Sequence, residues 1–407
     1  MQSSRKMWVT AGYYAAFIAL GLVQASLGPT LPGLAAHTGV DLADISALFL
    51  ARSAGYLTGA LFGGRLFDRL PGHPMMAAVL VVMAVTMALT PLVPLLWALM
   101  AVLLVLGMAE SVLDVGGNTL LVWVHGRAVG PFMNGLHFFF GVGAFLSPII
   151  VAQAILLTGG ITWAYWTLAL LVLPMALWLA RLPDPPNAAA TTGEAVVAGQ
   201  PARPVRAGQR NLVALLAVFL FLYVGAEVGY GGWVYSYALR RGLADAATAA
   251  YLTSAFWGVF TVGRLVGIPA ALRFRTGPVL LVDLLGALVG VAAVWLWPDS
   301  RPVLWLGTMA TGFFLASIFP NTLALAGEYL HVTGEMTGWF FAGASLGAMA
   351  VPWLVGQLFE ALGPQALPLI LLVDLLAAVA VLAAVMLAAR RMGVRPVEAS
   401  GQVVPVE

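Results

Sequence analysis

Apolar residues in this chain come in long unbroken runs, not in the short stripes of a water-soluble fold. A helix needs about 20 apolar residues to cross roughly 30 Å of hydrocarbon. Runs of that length lie at 8–35, 43–69, 73–93, 95–124, 130–158, 162–182, 211–240, 246–272, 277–297, 302–330, 334–362 and 366–390, which predicts twelve membrane spans. The segment 183–210, PDPPNAAATTGEAVVAGQPARPVRAGQR, is polar and rich in Pro, Ala and Gly, so it reads as a linker between two groups of six. Residues 391–407 read as a tail. Arg5 and Lys6 precede the first run as in a signal peptide, but that run is too long for a signal core and is expected to persist as span 1.

The two groups repeat each other. Asn118-Thr119-Leu120 recurs as Asn321-Thr322-Leu323, 203 residues on. At the same offset Gly55 and Thr58 fall on Gly258 and Thr261, and Met133 and Gly135 fall on Met336 and Gly338. The expectation is an all-α membrane protein: twelve transmembrane helices in two pseudo-symmetric six-helix bundles. The bundles would be 1–182 and 211–390, with a substrate site near the midplane between them.

Composition strengthens the membrane assignment. Apolar residues make up 61% of the 407 and charged residues only 9%, against about a quarter charged in soluble domains. The net charge of +2 rests on so few groups that no nucleic-acid partner is expected. Position is more informative than total. With the N-terminus inside, the inner segments hold Arg5, Lys6, Arg65, Arg69, Arg127, Arg181, Arg203, Arg206, Arg210, Arg264, Arg273, Arg275, Arg390, Arg391 and Arg395, and the outer ones only Arg240, Arg241 and Arg301. That bias predicts a cell-membrane protein with both termini cytoplasmic. Cysteine is absent, which excludes disulfides and thiolate sites. No phosphate-binding loop, HExxH or metal-spaced cluster is present. Cofactors, metals and enzyme activity are therefore not expected, and transport would run downhill or on an ion gradient.

Three segments carry a family resemblance. GGRLFDRLPGH, from Gly63 to His73, resembles the loop signature of the major facilitator superfamily, with one extra residue before its last Gly. The resemblance implies that fold and gives Asp68 and Arg69 a role in a cytoplasmic gate. LDVGGNTL (Leu113 to Leu120) and FLYVGAEVGYGGW (Phe221 to Trp233) are similar to spans 4 and 7 of the fucose permease branch and its relatives, the sodium-dependent glucose transporters. The acid that the fucose permease carries on span 1 has no counterpart in GLVQASLGPTLP here.

Ionisable groups inside spans are costly and are usually paired or functional. Glu110 and Asp114 are four residues apart on span 4, so they share a face, and Asn118 extends it by a turn. Two carboxylates so placed repel, and a proton on one relieves the repulsion. Asp114 is the first choice for proton coupling, with Glu110 beside it. Arg52 on span 2 needs a buried partner, and one of these acids fits. His137 on span 5 is a further proton-coupling candidate, with packing as its plainer reading. Glu227 lies opposite Gln24 by the repeat, and the resemblance implies that spans 1 and 7 line the cavity. Gln24, Asn118, Glu227 and Asn321 are expected to bond substrate, with Tyr230 and Trp233 as aromatic walls. Asp283 and Asp374 are expected near span ends, within reach of water. Gly55, Gly59 and Gly63, and Gly338, Gly343 and Gly347, would let helix backbones approach closely, and would also give smooth faces on which one half rocks against the other.

The function expected is secondary transport of a sugar-like solute, most simply a monosaccharide, with H⁺ or Na⁺ by a monomer in the bilayer. Rival readings are a proton-driven exporter of amphiphilic drugs and a non-transporting membrane sensor or scaffold.

Overall fold

The computed structural model describes residues 2–67, 69–183, 207–330 and 332–391. All twelve expected spans are helices long and apolar enough to cross a membrane. Span 1 runs as Gln2–Gln24 and Leu27–Thr38, span 2 as Leu42–Ile45 and Ala47–Phe67, and spans 3 to 6 as Gly72–Leu89, Leu96–His125, Gly130–Thr158 and Thr162–Ala180. Spans 7 to 9 are Ala207–Arg240, Ala246–Arg273 and Thr276–Leu296. Span 10 runs as Arg301–Leu315 and Ile318–Tyr329, and spans 11 and 12 are Gly334–Leu362 and Ala366–Arg391.

Proline accounts for two of the breaks. Pro29 and Pro320 lack the N–H that would bond the carbonyl four residues back, at Ala25 and Ala316. Those are the residues at which spans 1 and 10 interrupt. Side chains take up the local slack in span 1: Ser26 Oγ donates to the Val23 carbonyl at 2.8 Å and Thr30 Oγ1 to the Ser26 carbonyl at 2.8 Å. Span 7 begins a turn earlier than its apolar run, at Ala207, because nothing after Pro204 forbids a helix.

The helix pairings of the first six spans recur in the second six. Span 1 packs on 5, 2 on 4 and 3 on 6; span 7 packs on 11, 8 on 10 and 9 on 12. The major facilitator fold is therefore present, with its repeat visible in packing as well as in sequence. Spans 2 and 4 touch backbone to backbone: a Cβ on Gly55 would strike the Leu104 carbonyl, and one on Gly107 the Arg52 carbonyl. This is the close helix packing expected of these glycine stripes. Gly55 and Gly59 face span 4, and Gly343 and Gly347 face span 7, so each serves fixed packing within its own half.

Contact between halves comes from spans 2 with 11, 5 with 8, and the second helix of span 1 with 7. It is concentrated toward the face opposite the termini. There Gln357 Nε2 donates to the Ala43 carbonyl at 2.9 Å, Gln153 Nε2 to Tyr251 Oη at 2.5 Å and Ser254 Oγ to the Phe145 carbonyl at 2.6 Å. Toward the termini, Gly141 of span 5 lies against Thr261 of span 8, while a Cβ on Gly338 would meet nothing within 4 Å. Among the described residues no hydrogen bond joins the halves on that side. The cleft is sealed at the far face and parted on the side of the termini.

Candidate functional site

The first half builds a polar ladder between spans 2 and 4. Arg52 donates to both oxygens of Glu110, from Nε at 2.9 Å and Nη2 at 2.5 Å. Its Nη1 reaches the Gln24 carbonyl at 3.1 Å, a group freed by the end of the first helix of span 1. Glu110 is only 1% exposed. One turn on, Tyr56 donates its hydroxyl to Asp114, and Asn118 Nδ2 donates to Asp114 Oδ1 at 2.9 Å. The expected repulsion between the two acids is thus relieved by separate partners. Glu110 is the closed half of a bidentate ion pair, and Asp114 is the half-buried one that faces the cleft.

The second half is arranged differently. Glu227 is half-buried and accepts the Tyr223 hydroxyl. Asp283 is half-buried, seven residues into span 9, and accepts Ser317 Oγ, which in turn receives Asn321 Nδ2 at 3.2 Å. Asn321 is 5% exposed, so it braces spans 9 and 10 where Asn118, its repeat partner, reaches an acid beside the cleft. Tyr230 and Trp233 also depart from expectation. Tyr230 bonds Thr308 at 2.8 Å and stacks on Phe256 at 5.3 Å. Trp233 donates to the Pro352 carbonyl at 2.8 Å and packs between Phe49 and Phe359 in the far-face seal. Both are fully buried, so neither walls the cleft in this state. Asp374 is likewise buried within span 12, not reached by water, and its Oδ2 has no partner among the described residues.

Gln24 is half-buried, and the bond it supplies to the site comes from its carbonyl. His137 is half-buried on span 5, edge-on to Phe17 at 6.0 Å. Arg69 is exposed in the loop after span 2, and Asp68 lies outside the described residues.

One residue of the site was assigned elsewhere from sequence. Arg264 was counted as a loop anchor, but it sits nine residues before the end of span 8, about 13 Å into the helix. Its guanidinium lies over the Phe260 ring at 4.6 Å and the Phe140 ring of span 5 at 5.9 Å. Among the described residues no carboxylate comes within 4 Å of it. Phe140 lies one turn from His137 on span 5, so the guanidinium stands between the two halves. Two histidines also escaped the sequence reading. His73 is fully buried and bonds Tyr13 Oη at 2.7 Å, and His125 bonds Thr10 Oγ1 at 2.7 Å while stacking on Phe132. They tie span 1 to spans 3 and 4 on the side of the termini.

A family model described as the Major Facilitator Superfamily matches residues 13–331. The chain belongs to the major facilitator superfamily. Within it, the resemblance read on spans 4 and 7 extends over nearly the whole chain. The chain is 30% identical over 377 residues to mouse sodium-dependent glucose transporter 1A, covering 85% of this chain and 88% of that one. The human sodium-dependent glucose transporter 1 is 29% identical over 382 residues, covering 84% and 72%. Mouse major facilitator superfamily domain-containing protein 4A is 26% identical over 88% of both chains. Two solved structures share the fold: the nucleoside transporter NupG, with a TM-score of 0.72 at 15% identity over 94% of this chain and 98% of its own, and a D-xylose–proton symporter, at 0.69 and 12% over 91% and 97%.

Proposed function

We propose that this superfamily member carries a monosaccharide across the membrane by alternating access, driven by a co-transported proton or sodium ion. The halves are taken as 1–182 and 211–390, rocking about the far-face seal, with 183–210 as linker and both termini cytoplasmic. Removing Arg264 from the inner group leaves the charge bias in place, with Arg240, Arg241 and Arg301 still alone on the far side. The observation that carries the reading is the Asp114–Asn118 pair, half-buried on span 4 beside the cleft, in a chain whose relatives are named sodium-dependent glucose transporters.

In this scheme Asp114 holds the coupling cation. Asn118 commits its Nδ2 to Asp114, which leaves its Oδ1 for a cation or a sugar hydroxyl. Glu227 takes hydroxyls from the other half, and the Gln24 side chain, half-buried at the break in span 1, does the same. Arg52 and Glu110 form the fixed floor of the site.

Reconstitution into liposomes tests the proposal. Labelled glucose and related monosaccharides are loaded in counterflow, then driven by an imposed proton or sodium gradient. Counterflow with accumulation under one gradient is the expected result, and the gradient that works names the ion. Movement of a lipophilic cation with no sugar would overturn it in favour of the exporter, and movement of nothing would favour the sensor.

A further inference from the structure

Arg264 is a cation inside the membrane whose nearest described partners are rings. Holding a guanidinium there is costly, and cation–π contact offsets about 2 kcal/mol at best. The repeat equivalent in the first half is Leu61, an uncharged residue on an exposed surface, so the charge is particular to the second half. The setting is also mechanical. Arg264 lies one turn past Thr261, where span 8 meets Gly141 of span 5 across the halves. Phe260 moves with its own half and Phe140 with the other.

The charges around the cleft then count simply. Arg52 and Glu110 cancel in their ion pair. Asp114 and Glu227 are two carboxylates beside the cleft, with Asp283 behind Ser317 a third, and Arg264 is one positive charge, so the carboxylates outnumber it. A co-transported cation would offset part of that excess where Arg264 alone does not.

We propose that Arg264 is the internal counter-ion of the transport cycle, competing with one co-transported cation for the Asp114 and Glu227 carboxylates. With no cation bound, Arg264 leaves its rings and pairs with a carboxylate, and the empty carrier closes toward the termini. With a cation bound, Arg264 is displaced onto Phe260 and Phe140, and the carboxylates are free to hold cation and solute together. The other polar groups that bear on the pair are Tyr56, Asn118 and His137 of the first half, and Tyr223, Asp283 and Ser317 of the second. The inference rests on the coupled-carrier reading above, but its first test does not need a sugar.

Purified full-length protein in detergent is titrated with ²²Na⁺, and with acid to follow proton uptake, as wild type, R264Q and R264K. Removing a positive charge near the acids should tighten cation binding about tenfold in R264Q, moving the sodium midpoint down or the proton midpoint to higher pH. R264K keeps the charge and should stay close to wild type. In liposomes the ratio of driven accumulation to counterflow should fall at least tenfold in R264Q and be restored in R264K. Unchanged cation affinity in R264Q overturns the proposal. So does loss of counterflow in both variants with cation affinity intact, which would make Arg264 a substrate contact. Should R264Q not fold, R264K decides alone, because retained coupling supports a charge role and lost coupling refutes it. A wild type that binds a cation but moves no sugar would sink the substrate assignment and leave the counter-ion standing.

Discussion

The two halves share a fold and a sequence repeat, yet they distribute their charges in opposite ways. In the first half the polar groups bridge spans 2 and 4, as Arg52–Glu110 and Tyr56–Asp114. At the repeat equivalents the second half has Ala255, Phe313, Val259 and Ser317, so no charged pair bridges spans 8 and 10 there. The second half instead places Glu227 on span 7 and Arg264 on span 8, where the first has Gln24 and Leu61. Packing was kept because every close helix contact depends on it. Charge was free to diverge because a cleft between the halves needs complementary sides, not identical ones. One half supplies a braced carboxylate and the other a carboxylate with a cation beside it.

The sharpest way to break this contrast is to remove the brace. R52Q leaves Glu110 buried without a counter-charge, a loss of about 3–5 kcal/mol of stability, measurable as thermal unfolding in detergent. The double variant R52Q/E110Q removes the orphaned charge and should recover most of that loss. A double variant as unstable as the single one would show that the pair is not a static brace. Next in size is the coupling carboxylate. D114N should lower gradient-driven accumulation by about 100-fold, the upper range of a coupling free energy between sites, while counterflow falls far less. Equal loss of both would place Asp114 in substrate binding and remove the division of labour between halves.

Much of this was legible before any coordinates. Hydrocarbon leaves a backbone few choices, so long apolar runs become helices and a repeat in the sequence becomes a repeat in packing. Asp114, Asn118 and Glu227 stood out because polar groups in such runs are costly enough to be noticed. Arg264 was hidden for the converse reason. Counting arginines along one dimension joins it to Arg273 and Arg275, and only depth separates a cation in the cleft from two at a loop. Tyr230, Trp233 and Asn321 failed differently. Helical spacing says which residues share a face with Glu227, but not that Thr308, Pro352 and Ser317 already stand opposite them.

The second half's acid offers a smaller test. E227Q keeps the shape of the side chain and can still meet the Tyr223 hydroxyl, but loses its charge. The expected result is an apparent sugar affinity about tenfold weaker, the scale of one charge-assisted hydrogen bond, with coupling to the gradient weakened because Arg264 is then left to neutralise Asp114 alone. Lost coupling with unchanged affinity would instead make Glu227 the cation holder and reverse the assignment of the two halves.

The smallest effects belong where the halves agree. Spans 2 and 8 both begin with an aspartate cap: Asp41 Oδ1 accepts the Asp44 N–H at 2.8 Å, and Asp245 Oδ1 accepts the Thr248 N–H at 2.7 Å. Both caps are exposed at the far face, outside the membrane-spanning segments. D41A and D245A should therefore each lower the midpoint of thermal unfolding by only about 1 °C. Backbone N–H bonding from Thr248 holds the Asp245 carboxyl below the ordinary aspartate range. Its contribution is present above the unfolded aspartate pKa of about 3.9 and is lost as pH falls through the lower folded value. The difference between D245A and wild type should accordingly be constant at neutral pH and vanish in acid. A D245A effect many times that of D41A would mean that the start of span 8 carries more than a cap. The two halves would then diverge even where their polar chemistry looks the same.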